Sequence, residues 1–343
     1  MRYRVAVTTI RDLARLADVS VATVSRVFNN PEVVSQETRE HVLRVAARVG
    51  YQPNESARTL ATKKSYMIGL IWDTDHRRPG WRHPFLQEIL IGLKTALSER
   101  GYHLLLLATS EREDSDKDVY LRAVKRHNLD GVVFIDNGTR DPALDVLAAS
   151  GVPCVSLDRP VSGPRTTYVT SDNVGGARSA VARLHARGCR TIATITGPVR
   201  TRPGAERLDG YRAELAALDL PYRPELVVEG DFYLAGGYAG MRRLLDLPHR
   251  PDGVFVAGDE MAVGALRAIT EAGLAVPEDV ALIGFDDIEL AALVPPGITT
   301  IAQDKAGFGT AAATALVEMI DSAEDEAPPP TVLPTTVVLR GTA

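Results

Sequence analysis

From Tyr66 onward, strand-length apolar runs alternate with amphipathic, helix-length segments, and that alternation narrows the fold more than any other feature of the chain. Met67–Trp72 reads as a buried strand, Phe85–Arg100 as a helix closed by Gly101, Tyr102–Ala108 as strand and Ser115–His127 as helix. Gly131–Ile135, Pro142–Ser150 and Val152–Leu157 continue as strand, helix and strand. Strands that are apolar throughout are buried on both faces, the mark of a parallel sheet covered by helices on each side.

A second series repeats the pattern. Strands are expected at Thr167–Thr170, Thr191–Thr196, Leu226–Glu229, Gly253–Ala257 and Val280–Phe285. Helices fall between them at Val174–Arg187, Pro203–Leu218, Ala235–Leu247 and Met261–Ala272. Helix Gly307–Ser322 returns to the first half, and a final strand, Thr331–Leu339, fits either half after the acidic, Pro-rich loop 323–330. Two doubly wound halves joined by several crossovers enclose a cleft at the carboxyl ends of their strands, where such sheets bind ligands.

The first fifty residues are built differently. Thr9 caps a short helix with Ile10, Leu13, Ala14 and Ala17 on one face, and Asp18-Val19 makes a tight turn. Ser20 caps a second short helix, Val21–Asn29, with Val24 and Val27 inward and Thr23, Ser25 and Arg26 on or near the outer face. After a turn at Pro31–Val34, Ser35 caps a third helix, Gln36–Val49, ended by Gly50; Val42, Val45, Ala46 and Val49 close a three-helix core. Two short helices joined by so tight a turn lay the second in the major groove of DNA. Asn54 then caps Glu55–Ala61, a fourth segment too short to be helical alone in water, readable as helix or plain linker.

Charge divides the chain the same way. Residues 1–64 hold eleven Lys/Arg against six acids, a net +5, so the rest carries −10 of the overall −5. A basic head on an acidic body suits a protein whose head alone meets a polyanion, and so small an excess favours two heads acting together.

Several stretches resemble the lactose-repressor/galactose-repressor (LacI/GalR) family along the whole chain. V-S-V-A-T-V-S-R-V-F-N (19–29), V-S-Q-E-T-R-E (34–40), G-Y-Q-P-N (50–54) and A-R-T-L (57–60) match its DNA-binding head. G-D-E-M-A-V-G-A-L (258–266), V-P-E-D-V-A-L-I-G-F-D-D (276–287) and P-P-G-I-T-T-I (295–301) match its effector-binding core.

The resemblance implies a fold class: a small all-α helix-turn-helix head plus an α/β, two-lobed, periplasmic-binding-protein-like (type I) core of doubly wound parallel sheets. It divides the chain into a DNA-binding domain, 1–53, a hinge helix and linker, 54–65, and a two-lobed effector-binding and dimerisation domain, 66–343. Residues 66–158 plus about 302–330 are expected in the N-terminal lobe, and 159–301 plus about 331–343 in the C-terminal lobe.

The family match places Val21, Ala22 and Arg26 at base edges, with Thr23 and Ser25 near phosphates. Only Arg26 among them makes a bidentate contact to guanine, while Val21 and Ala22 offer apolar contact such as to a thymine methyl. Thr9, Ser20, Asn29, Asn54, Ala57 and Arg58 complete the implied DNA face, and Leu60 is the implied wedge into the minor groove at a central CG step. The implied partners are double-stranded operator DNA of pseudo-palindromic sequence, a small-molecule sugar effector and a second copy of the chain in a homodimer. No leucine-heptad tail of the kind that makes some members tetramers is expected, so a dimer is.

For the effector, the resemblance marks Asp158, Arg207, Phe232 and Asp286, with Trp72, Phe85 and Asp259 as further candidates. Carboxylates accept from adjacent hydroxyls, a guanidinium donates twice and an aromatic face covers the C–H side of a sugar ring. A nucleobase would suit the same groups, so a purine co-repressor stays open beside a sugar. Core packing is the competing reading of Phe232. Trp72 and Trp81, the latter in the insert-like segment 76–83, stack on sugar rings or pack. At Gly258 a lactose-type member has an asparagine, so a β-galactoside is not the expected ligand.

Other classes find little support. The seven histidines are scattered, without H-E-x-x-H or a Cys/His ligand cluster, so no metal and no cofactor is expected, and neither G-x-S-x-G nor G-x-G-x-x-G occurs. No enzyme is therefore expected. Apolar runs such as Leu104–Ala108 are far below the ~20 residues needed to span a membrane. MRYRVAVTTIRD lacks the apolar core of a signal peptide, and Cys154 and Cys189 read as isolated thiols. A cytoplasmic, nucleoid-associated regulator is expected, whereas a sugar-binding transport protein would have no use for residues 9–61.

Overall fold

A computed structural model describes residues 9–29, 31–51, 64–72, 83–107, 116–135, 141–322 and 326–343. The chain forms two compact units, residues 1–66 and 67–343. The implied hinge helix, with Asn54, Ala57, Arg58 and Leu60, lies outside the described residues, as does Trp81.

The described residues of the first unit include three helices, α1 (Ile10–Leu16), α2 (Val21–Asn29) and α3 (Gln36–Val49). Thr9 closes a capping box: its hydroxyl accepts from the Asp12 amide at 3.2 Å while the Asp12 carboxylate accepts from the Thr9 amide. These bonds hold the Asp12 carboxyl below its ordinary pKa. Ser20 accepts from the Thr23 amide at 3.0 Å, and Ser35 from that of Thr38. Asp18 turns the chain with φ 53°, and Gly50 ends α3 with φ 65°, a conformation a side chain would strain. Leu13, Ala14, Ala17, Val24, Val27, Val42, Val45 and Ala46 make one buried core. His41 Nε2–H donates to the Ala17 carbonyl at 3.1 Å, tying α3 to the end of α1. Pro31–Val33, expected as a turn, is one turn of 3-10 helix.

The second unit contains two six-stranded sheets. The first holds β1 (Met67–Trp72), β2 (His103–Leu107), β3 (Gly131–Ile135), β4 (Cys154–Leu157), β5 (Thr166–Ser171) and β11 (Thr331–Leu333), in the order β11-β5-β4-β3-β1-β2. The second holds β6 (Ile192–Thr196), β7 (Val227–Glu229), β8 (Gly253–Val256), β9 (Ala281–Asp286), β10 (Thr299–Gln303) and β12 (Thr335–Val338), in the order β12-β10-β9-β8-β6-β7. All pairings are parallel except β10 with β12. Helices α4 (Pro84–Glu99), α5 (Val119–His127), α6 (Pro142–Ala149), α7 (Asn173–Ala186), α8 (Arg202–Ala217), α9 (Leu234–Leu245), α10 (Asp259–Glu271), α11 (Glu289–Leu293) and α12 (Lys305–Asp321) alternate with the strands. Among the described residues no helix is long and apolar enough to cross a membrane.

The lobes divide later than expected. Thr166–Ser171 pairs with β4 in register Cys154↔Thr166 to Leu157↔Val169, so the chain leaves the first lobe after Ser171 and not after Asp158. It returns after Gln303, and α12 packs against α4, β3, β4 and β5. Segment 331–339 is not one strand: Pro334, which has no N–H to donate, separates β11 in the first sheet from β12 in the second. The polypeptide therefore crosses between lobes three times, at Asp172, Asp304 and Pro334. The short α11 and strand β10 are additions to the expected pattern; α11 spans five residues and β10 carries three polar ones among its five, too little periodicity to announce either. Helix 119–127 starts after Ser115 because Asp116 accepts from the Asp118 amide in a turn. Cys154 and Cys189 are free and buried, and burial pushes their thiols up to about 12 and about 11.

Candidate functional site

Arg207 occupies the centre of the second unit, on the first half of α8 and only 4% exposed. Its Nε donates to Asn173 Oδ1 at 2.9 Å, its Nη1 donates to the Ala257 carbonyl at 2.7 Å, and Nη1 lies 3.6 Å from Asp286 Oδ1. The guanidinium stacks over the Phe285 ring at 3.7 Å and stands 5.8 Å from the Phe232 ring. Burial lowers its pKa, while Asp286, Asp158 and Asp259 oppose that shift. An arginine stays charged under such conditions, and the surrounding acids account for its position.

The polar network runs outward from Arg207 to two of the crossovers. Asn173, next to Asp172, donates to Glu206 Oε2 at 3.0 Å, and Glu206 accepts from Arg202 Nε at 2.5 Å. Asp286 Oδ1 accepts from Gln303 Nε2 at 2.6 Å, one residue before Asp304. Arg202, from the second lobe, lies over the ring of Tyr168 on β5 of the first, 4.7 Å from its centroid.

Asp158 follows β4 with φ 63° and accepts from Thr170 Oγ1 at 2.8 Å. Burial raises its carboxyl to about 6, against the Thr170 bond and the attraction of Arg207. Burial likewise raises Asp286, against Arg207 and His83, and raises Glu260. The acids thus keep their protons to higher pH in the folded chain than in the unfolded one, and the stability that Asp158 contributes falls as pH rises from about 4 through 6. Asp158→Asn is expected to flatten that fall, as read by urea denaturation at pH 4.5 and 7; an unchanged slope would remove Asp158 from this account.

Phe232, with φ 70°, lays its ring against Gly197, where an added Cβ would sit 2.0 Å from the ring. Gly258 borders the same place: a Cβ there would lie 3.4 Å from Phe232 and 3.6 Å from Asp286 Oδ2. The missing side chain leaves that space between aromatic and carboxylate open. Asp158, Arg207, Phe232 and Asp286, singled out in the sequence, are therefore gathered at the carboxyl ends of strands and the start of a helix. Asp259 is not available in the same way. It is fully buried, and its carboxylate accepts from Thr300 Oγ1 at 2.7 Å and from the Ile288 amide at 3.1 Å, holding β10 and the turn after β9. These two bonds make Asp259 an anchor between β10 and the turn after β9. Trp72 ends β1 and is 7% exposed; Phe85 is as buried and packs edge-on against Phe308 at 6.2 Å.

His83 was not signalled by any motif. It precedes α4 in the first lobe, and its Nε2–H donates to the Phe232 carbonyl of the second at 3.2 Å, with its ring edge-on to Tyr233. Only tertiary structure, by bringing residues 149 positions apart together, gives it this bridging role. Among the described residues no group of three or more His, Cys, Asp or Glu has the arrangement to hold a metal ion.

In the first unit, Val21, Ala22 and Arg26 are exposed along α2, Val21 to 42%, and Thr23 and Ser25 are half-buried beside them. Thr9 and Ser20 are exposed at the helix starts, and Asn29 closes α2.

Comparison with known proteins assigns this architecture. The family described as "Bacterial regulatory proteins, lacI family" matches residues 9–54, and "Periplasmic binding protein-like domain" matches residues 181–343. The HTH-type transcriptional regulator CelR of Thermobifida fusca is 39% identical over 335 residues, 97% of each chain. The chain belongs to the LacI family. As a member of that family it is a DNA-binding transcription regulator and not an enzyme. The ribose operon repressor of Escherichia coli strain K12 is 35% identical over 315 residues, 91% of this chain and 93% of that one. A CelR–cellobiose complex matches with TM-score 0.74 at 37% identity, covering 98% of this chain and 99% of that one. The lac repressor dimer bound to operator and the anti-inducer ONPF matches with TM-score 0.78 at 30% identity, with the same coverage. The LacI-family fold expected from sequence, a helix-turn-helix head and a two-lobed core, is thus the one present.

Proposed function

We propose that this regulator is a dimeric repressor of a carbohydrate uptake or utilisation operon, acting in the cytoplasm on the nucleoid. Each head reads half of a pseudo-palindromic operator with a central CG step, and a sugar in the cleft sets the affinity. The observation that carries the sugar reading is the set of groups around Arg207: two carboxylates, Asp158 and Asp286, and an aromatic face, Phe232, beside the space left by Gly258. Hydroxyl pairs donate to the first two, and the C–H face of a pyranose covers the third. The relatives support it: one is solved with cellobiose, and others are named ribose operon repressors. Val21, Ala22 and Arg26 read base edges, Thr23, Ser25, Thr9, Ser20 and Asn29 hold phosphates, and Asn54, Ala57, Arg58 and Leu60 act at the minor groove.

Asp158, Arg207, Phe232 and Asp286 hold the effector across the lobes, and binding alters the angle between them. That angle sets the spacing of the segments leading to the two heads, so DNA and sugar bias one equilibrium and each changes the affinity of the other by the same factor. Because hydroxyls donate to the ionised form of Asp158, sugar affinity is expected to weaken as pH falls below about 6.

A thermal-shift series with cellobiose, ribose, other mono- and disaccharides, nucleobases and phosphosugars tests the reading. A ligand at ~100 times its Kd adds about 2.7 kcal/mol of stability. A neutral sugar is expected to stand out, whereas a shift only with nucleobases would replace the sugar by a purine-type co-repressor.

A further inference from the structure

Asp286 and Asp287 are consecutive non-glycine residues in left-handed backbone, φ 110° and 54°, at the end of β9. Such a pair is unfavourable alone and persists only where its surroundings hold it. Three side chains do so. Gln303 Nε2 donates to the Asp286 carboxylate, Arg340 Nη2 donates to Asp287 Oδ1 at 2.6 Å, and Lys305 Nζ donates to both backbone carbonyls, of Asp286 at 3.0 Å and Asp287 at 2.7 Å.

Lys305 differs from the other two in where it stands. Gln303 and Arg340 belong to the second lobe, whereas Lys305 is the first residue of α12, past the Asp304 crossover. That helix lies so close to α4 that a Cβ at Gly92 would meet the Ala306 carbonyl at 2.6 Å, and one at Gly309 the Ile89 carbonyl at 2.3 Å. The Lys305 side chain is 10% exposed, and Nζ also lies 3.6 Å from Oε2 of Glu88 on α4. One ammonium thus touches the turn that carries Asp286 and the helix of the opposite lobe. That helix is preceded by His83, the residue bonded to the Phe232 carbonyl.

We propose that Lys305 is the positioning residue through which occupancy at Asp286 is reported to the first lobe, with Glu88 as its receiver on α4. The proposal rests on the reading that Asp286 contacts an effector. A ligand that engages the Asp286 carboxylate reorients the two carbonyls of the Asp286–Asp287 turn, and Lys305 cannot keep both bonds and its ion pair without moving α4 relative to the second lobe. Glu88 is itself half-exposed, and an ion pair of that kind contributes little to stability. Its removal therefore separates signalling from folding.

The test uses the full-length protein, cellobiose and ribose as probes, and an operator duplex selected from random DNA by the native protein. Two quantities are read: probe affinity by calorimetry, and the factor by which saturating probe changes operator affinity. Glu88→Gln is expected to keep the melting temperature and to keep probe affinity within about twofold, while the coupling factor falls at least threefold. Lys305→Met should lower the factor further and weaken the probe as well, Lys305→Arg should recover part of the factor, and the double variant should lose no more than Lys305→Met. Glu88→Gln and Lys305→Met both retaining the native factor would overturn the relay while leaving the effector reading intact. A native protein whose operator affinity ignores both probes would overturn the effector reading, and the relay with it.

Discussion

Arg207→Met is expected to cost more stability than any other single change in the cleft, and to cost it unevenly with pH. In the native chain one guanidinium serves Asn173, the Ala257 carbonyl and Asp286 while lowering the pKa of Asp158. Methionine fills much of the volume but leaves buried carboxylates without their cation. Breaking a buried pair by removing one partner costs roughly 3–5 kcal/mol, because the remaining charge has neither water nor a counter-ion. The acids escape this by protonating. Their pKa values are already raised by burial, and losing Arg207 raises them further. Urea denaturation should therefore show the full loss near pH 7.5 and a smaller one near pH 5, where Asp158 holds its proton. An equal loss at both values would mean that Arg207 acts through packing against Phe285 and not through charge.

Arg26→Ala carries the second large effect, on DNA and not on folding. Arg26 is exposed on α2 and packs into no core, so its removal should change the stability of the head by no more than about 0.5 kcal/mol. On the operator, a bidentate arginine–guanine pair discriminates by about 1–3 kcal/mol. Fluorescence anisotropy at fixed salt is expected to show operator affinity falling ten- to a hundredfold with binding to random duplexes little changed, as about 1.4 kcal/mol corresponds to tenfold. Equal loss on both DNAs would reassign Arg26 to a phosphate.

How much of this was legible beforehand follows from which interactions are local. The head was readable nearly residue by residue, because caps, turns and a 3.6-residue stripe are written within a few positions: Thr9 with Asp12, Ser20 with Thr23, and Gly50 after Val49. The alternation of apolar runs also gave the two wound sheets. The lobe boundary was not readable, since nothing in Thr166–Ser171 says which sheet edge it joins; pairing with β4 decides that. The same limit separates the cleft residues. Asp158, Arg207, Phe232 and Asp286 sit where strands and helices begin or end, positions that pattern and resemblance both flag. Asp259 sits at such a place too, yet Thr300, 41 residues away, takes its carboxylate. His83 and Lys305 have no motif of their own and gain their roles from contacts with the opposite lobe.

The central claim is that occupancy of the cleft controls the affinity of the head for DNA. It is tested most directly by titrating the full-length protein onto its selected operator, at one salt concentration, with and without saturating cellobiose, while calorimetry follows cellobiose binding to the same sample. Where cellobiose binds, the account predicts that operator affinity drops at least tenfold, with DNA weakening cellobiose by the same factor. Cellobiose that binds in the cleft while operator affinity stays unchanged would contradict it.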